Sequence, residues 1–144
     1  MSVLLVLFGS LLLFRALGFG GVDWFTTWLE SARAALAAMF LFTAASHFTP
    51  MKKDLIAMVP PFLPRPDVLV FITGVAEVLG AVGLLVPETR FWAACGLILL
   101  MLLMLPANVS AARRGVLLRG RSATPLWLRM PMQVLLIGWA WMVR

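Results

Sequence analysis

The chain has 144 residues, 62% of them hydrophobic and only 12% charged, with twelve Lys/Arg against six Asp/Glu. Soluble domains carry roughly twice that charged fraction, so this composition suits lipid. The net charge of +6 sits almost wholly between apolar runs and reads as topology signal and headgroup contact, not as a nucleic-acid surface.

One cysteine (Cys95) and one histidine (His47) exclude an internal disulfide, a C-x-x-C dithiol centre and bis-histidine haem ligation. They leave no cluster of metal-site spacing. The expected metal ligands and the expected catalytic residues are therefore none.

A helix needs about 20 apolar residues to cross the hydrocarbon core, and unpaired backbone in lipid makes helices the expected form. Five runs qualify in chain order. The first is Ser2–Phe19, interrupted by Arg15, with no basic residue before it and no small-x-small site after it. It reads as a retained helix and not a signal peptide. The second, about 30–48, is alanine-rich. Residues 49–66 follow, with "MKKDLIAMV" suited to two turns of interfacial helix and "VPPFLPRP" expected to be stiff and extended. The third run is 67–86, followed by a tight turn. The fourth is 91–105, extended by "PANVSAA". A basic loop over 110–129 leads to the fifth, about 126–143. The whole chain, 1–144, reads as one membrane domain.

Five spans place eight basic residues on one side: Lys52, Lys53, Arg65, Arg113, Arg114, Arg119, Arg121 and Arg129. The other side has three: Arg33, Arg90 and Arg144. The bias predicts a cytoplasmic N-terminus and an outside C-terminus.

The third run, "FITGVAEVLGAVGLLV", contains one carboxylate, Glu77. At the bilayer centre it costs roughly 3 kcal/mol on insertion scales, so a compensating partner is expected. Sorting at 100° per residue puts Glu77 among Thr73, Gly74, Ala76, Gly80, Ala81 and Gly83, a face suited to close helix contact. Glu77 should point into the bundle, with Arg15 or Arg33 as partner. On the second helix Arg33, Ala37, Phe40, Ala44 and His47 form one stripe. A buried Glu–Arg pair would fix helix register; alternatively the carboxyl serves a ligand or a proton. At the inner end, His47, Asn108 and the proline segment 60–64 are expected to surround a pocket walled by Phe48 and Phe62, a recipe for a flat ligand. The Met-rich "MLLMLP" and Cys95 read as packing, and Gln133 as inter-helix glue.

The segments "MFLFTAASHFTP", "VPPFLPRPDVLVFITGVAEVLGAVGLLVPETRFWA" and "LPANVSAA" resemble the DoxX-like family of small bacterial membrane proteins over about residues 31–143. The resemblance implies an all-α integral membrane fold, a four-helix transmembrane bundle over 31–143, to which helix 2–19 adds a fifth span. It implies the bacterial inner (plasma) membrane. It also implies association with quinone-linked oxidoreductases or stress-response complexes. The favoured role is a non-catalytic accessory or assembly subunit, with the lipid bilayer and other membrane subunits as partners. The runner-up is a quinone-binding small subunit of a membrane oxidoreductase, with a quinone as cofactor, His47 or Asn108 on its carbonyl and Glu77 relaying a proton. A proton or small-molecule carrier is the third reading, disfavoured by the lack of an inverted repeat.

Overall fold

The computed structural model describes residues 2–118, 120–122 and 124–144. Arg119, counted in the topology argument, lies outside the described residues, as does the side chain of Arg121. The fold is all-α. Helix α1 spans Ser2–Phe19, α2 Trp28–Phe48, α3 Lys52–Met58, α4 Pro66–Leu85, α5 Arg90–Leu103, α6 Leu105–Arg114 and α7 Leu126–Met142. A one-turn 3-10 helix, Asp23–Phe25, separates α1 from α2. Two-residue strands, Leu117–Leu118 and Arg121–Ser122, make a short antiparallel hairpin before α7.

Local chemistry sets the helix ends. Thr27 caps α2: its Oγ1 accepts the Glu30 N–H at 3.2 Å while Glu30 Oε2 accepts the Thr27 N–H at 3.2 Å. This reciprocal pair satisfies two donors that a helix start leaves orphaned. Pro66 opens α4 at a position where its missing N–H costs nothing. Gly115, at φ 64°, closes α6 in the left-handed conformation that glycine adopts freely.

Three stretches are long and apolar enough to cross a membrane: Ser2–Phe19, Pro66–Leu85 and the nearly continuous Arg90–Arg114. Helix α2 joins them if counted with α3, from which it bends by 93°. Helix α7 has 17 residues, about 26 Å of rise.

Two expected connectors take other forms. The proline segment turns instead of running extended: Leu63 N–H donates to Pro60 O at 3.0 Å, with Pro61 at the turn position its fixed φ favours. The basic segment 110–129 is helical at both ends, because α6 runs on to Arg114 and α7 begins at Leu126. The short helix expected around residues 51–59 forms as α3.

Helix α2 is the centre of the packing. It lies against α4 and α1, α4 lies in turn on α5, and α5 on α7. The alanines of α2 let its neighbours approach closely. Ala32, Ala34, Ala35, Ala37 and Ala44 are all buried, beside Leu36, Met39 and Phe40. The predicted stripe Arg33–Ala37–Phe40–Ala44–His47 is buried throughout. Helix α1 sits at the edge of the bundle, with Leu7 its one buried residue among those described. The broad exposed faces of α4 and α5, with Phe71, Ile72, Leu79, Trp92, Leu99 and Leu103, suit lipid.

The helix ends meet in a definite order. The start of α2 and the end of α7 share one end of the bundle: Arg33 Nε donates to Val143 O at 3.0 Å and Trp139 Nε1 to Ala32 O at 3.1 Å. At the other end α6 holds α3. The Arg114 guanidinium donates to the carbonyls of Ala57, Met58 and Val59 at 2.8, 3.0 and 3.1 Å. A cation on the unpaired carbonyls of a helix C-terminus is favourable placement.

Candidate functional site: a buried threonine–glutamate–histidine cluster

Glu77 is 4% exposed and faces α2, as its small-residue surroundings predict. Its buried helix stripe is Val70, Gly74, Glu77, Ala81 and Leu84. Gly74 makes the approach possible. A Cβ at that position would stand 2.6 Å from His47 Cβ and 2.8 Å from His47 Cγ, closer than packed atoms allow. Gly80 and Gly83 perform the same service toward α5, where a Cβ would meet the Leu97 and Ala93 side chains.

The carboxyl has two partners, both on α2. Thr43 Oγ1 donates to Glu77 Oε2 at 2.8 Å, and His47 Nε2 lies 3.6 Å from Glu77 Oε1. Thr43 and His47 are four residues apart, hence on one helix face. The other ring nitrogen is also engaged: His47 Nδ1 is 2.7 Å from Val70 O. A carbonyl oxygen only accepts, so Nδ1 carries its hydrogen and donates it. Any proton exchanged within the pair therefore moves between Nε2 and the carboxyl. Thr73 donates to the same Val70 carbonyl at 3.1 Å.

Neither arginine expected to neutralise Glu77 does so. Arg33 lies ten residues before Thr43 on α2, about 15 Å along the axis, where it bonds the Val143 carbonyl. Arg15 is held at that same end. Its Nη1 donates to Phe25 O at 3.1 Å, and its guanidinium carbon stands 3.8 Å from the Phe19 ring centroid and 5.3 Å from that of Trp28. A carbonyl and two ring faces solvate this cation in place of a carboxylate.

The expected pocket at the opposite end is not assembled from its four residues. His47 is sealed between α2 and α4, and Phe48 packs edge-on against Phe71 at 5.9 Å. Asn108 is buried inside α6, its backbone N–H bonded to Met104 O at 3.1 Å. Phe62 alone of the four lines an open groove of about 550 Å³, together with Pro60, Pro61, Pro106, Val109 and Arg113. The reason is mechanical. Arg114 ties the end of α3 to α6, which carries the proline turn onto α6 and away from His47. Gln133 does act between helices, donating to Met101 O at 2.8 Å. Thr43 is the residue that sequence reasoning missed; its spacing to His47 was the available signal.

A family model described as a domain of unknown function, DUF8561, matches residues 36–144, which include Thr43, His47 and Glu77. The chain belongs to this family. No curated protein and no solved structure matches it. The family match begins within α2, so α1 and the Arg15 cage lie outside the matched part of this DUF8561 chain.

Proposed function

We propose that this DUF8561 chain is a DoxX-like, non-catalytic accessory or assembly subunit of a membrane complex. It crosses the bacterial inner membrane five times, with the N-terminus and basic loops in the cytoplasm. One observation carries the reading: polar side chains inside the bundle are committed to bonds between its own helices. Thr43 reaches Glu77, His47 reaches Val70, Arg33 reaches Val143 and Gln133 reaches Met101. Such bonds set the relative positions of helices in lipid, where apolar contact alone discriminates poorly. The meeting of helix ends supports five alternating passes, since the start of the second span and the end of the fifth lie together, and α3 lies with α6.

The quinone reading asks His47 for a free ring nitrogen. Both are engaged, so a quinone carbonyl would have to displace Glu77 or Val70 O. The test is to solubilise native membranes in mild detergent and separate complexes on a native gel. The chain is expected to migrate in one discrete complex larger than itself, and its deletion to lower the amount of that complex. A chain that migrates alone, with a stoichiometric quinone bound and reduced, would overturn the subunit reading.

A further inference from the structure

The groove on α6 is graded in polarity along its length. Along α6 the lining runs from Leu105 and Pro106 through Val109 to Arg113 and Arg114 in the last turn, and Pro60, Pro61 and Phe62 line it from the proline turn. From Leu105 to Arg113 is about 12 Å of helix rise. The same residues close the 25-residue stretch Arg90–Arg114, which at about 37 Å outruns a hydrocarbon core of about 30 Å. Its last turn therefore stands at headgroup level and Leu105 among acyl chains.

The two arginines are not equivalent. Arg114 is committed to three carbonyls of the α3 end and to Ser110 Oγ at 2.9 Å. Arg113, one residue away and exposed, makes no such bond among the described residues. Phe62 projects from the proline turn at 78% exposure, an apolar wall where a loop in water would carry polar residues. A cation above an apolar trough, both set at the membrane boundary, is complementary to one amphiphile with an anionic head.

We propose that this groove holds one anionic phospholipid, its phosphate on Arg113 and the upper part of an acyl chain between Phe62 and the Pro106–Val109 face of α6. A volume of about 550 Å³ falls within the range of small-molecule sites. The proposal rests on the five-span reading, which puts this end at the cytoplasmic leaflet, where anionic headgroups attract juxtamembrane cations.

The test uses the full chain in nanodiscs of equal phosphatidylglycerol and phosphatidylcholine with identical acyl chains, then native mass spectrometry after gentle release. Wild type is expected to retain one phosphatidylglycerol at least tenfold over phosphatidylcholine. R113Q, which removes the charge, and V109W, which fills the trough, should each abolish that preference with unchanged helical content and monodispersity. The Lys52→Gln/Lys53→Gln chain, altered on α3 outside the groove lining, should keep it. Equal retention of the two lipids by wild type, an unchanged preference in both R113Q and V109W, or an equal loss in the lysine double variant would overturn the site. The last result would indicate diffuse attraction. Native-gel migration of the same variants separates the claims: lost lipid selectivity in an intact complex confirms the groove and leaves the subunit reading standing. A chain extracted from membranes by carbonate would instead overturn the membrane reading itself.

Discussion

Glu77 on α4 and His47 on α2 face each other across a close helix contact, with Oε1 3.6 Å from Nε2 and Gly74 against the His47 side chain. Thr43 completes the bridge from the same face of α2. The pair is sealed from lipid on every side that α2 and α4 cover, so its protons and hydrogen bonds are determined by these few atoms.

Replacement of Glu77 should separate loss of shape from loss of charge. In Glu77→Gln the amide oxygen still accepts from Thr43, and the amide NH₂ can donate to Nε2. In Glu77→Ala the Thr43 hydroxyl loses its partner, Nε2 faces a void, and a buried polar group left unmatched costs about 1–3 kcal/mol. The expected order of stability is wild type, Gln close behind, Ala well below. Tryptophan fluorescence during SDS unfolding measures it. An Ala variant as stable as Gln would mean that the bridge contributes nothing.

Glycine replacements should divide by position. Gly74→Ala drives a methyl into His47, an overpacking that costs about 1–3 kcal/mol, and should also disturb the 2.7 Å bond to Val70. At Gly138 on α7 nothing stands within 4 Å of the new methyl, and alanine is the better helix former by about 0.5–1 kcal/mol. Gly138→Ala should be neutral or stabilising. The same unfolding assay checks both, and equal effects would contradict the packing described at Gly74.

The helix pattern was legible because apolar period and small-residue faces survive in any helical packing. The α2 stripe and the inward face of Glu77 follow from 100° per residue alone. The partner of Glu77 did not follow. A count of charges favours an arginine for a buried carboxylate, but the axial offset of two packed helices is set by where small residues let them touch. Gly74, one turn before Glu77, fixes that offset and brings His47 and Thr43 level with the carboxyl, leaving Arg33 at the far end. The pocket expectation failed for a related reason. Helix ends on one side of a membrane need not adjoin, and no local pattern announced that Arg114 would draw the proline turn toward α6.

Among the described residues, three side-chain bonds hold α7 and its C-cap: Arg33 to Val143 O, Gln133 to Met101 O and Trp139 to Ala32 O. Each inter-helix bond in lipid contributes about 0.6–2 kcal/mol. Trp139→Phe and Gln133→Leu should each loosen α7 modestly. They stand about 9 Å apart along the helix and bond different helices, so their effects should add. Hydrogen exchange over residues 126–142 should rise in each and rise most in the double variant, while residues 66–85 stay protected. Unchanged exchange over α7 would mean that apolar packing alone retains it.

The five-pass reading makes a prediction about the chain end. Eight basic residues against three favour a cytoplasmic N-terminus, and an odd number of passes then puts Arg144 outside. The decisive element is α7, whose 17 residues rise about 26 Å against a core of about 30 Å. The five-pass reading asks its ends to meet both surfaces, and both carry suitable groups: Trp127 and Trp141 are exposed near either terminus, and the Arg144 guanidinium lies 3.5 Å from the Trp141 ring centroid. Interfacial tryptophans and a terminal cation let a short helix meet both surfaces. A C-terminal alkaline phosphatase fusion should be active and a C-terminal green fluorescent protein fusion dark. The reverse pattern would reduce the passes to an even number. Replacing Arg113, Arg114, Arg121 and Arg129 together with glutamine should weaken the orientation bias and give a mixed population in the same two reporters, because those four supply half of the eight charges that the five-pass reading places on the cytoplasmic side.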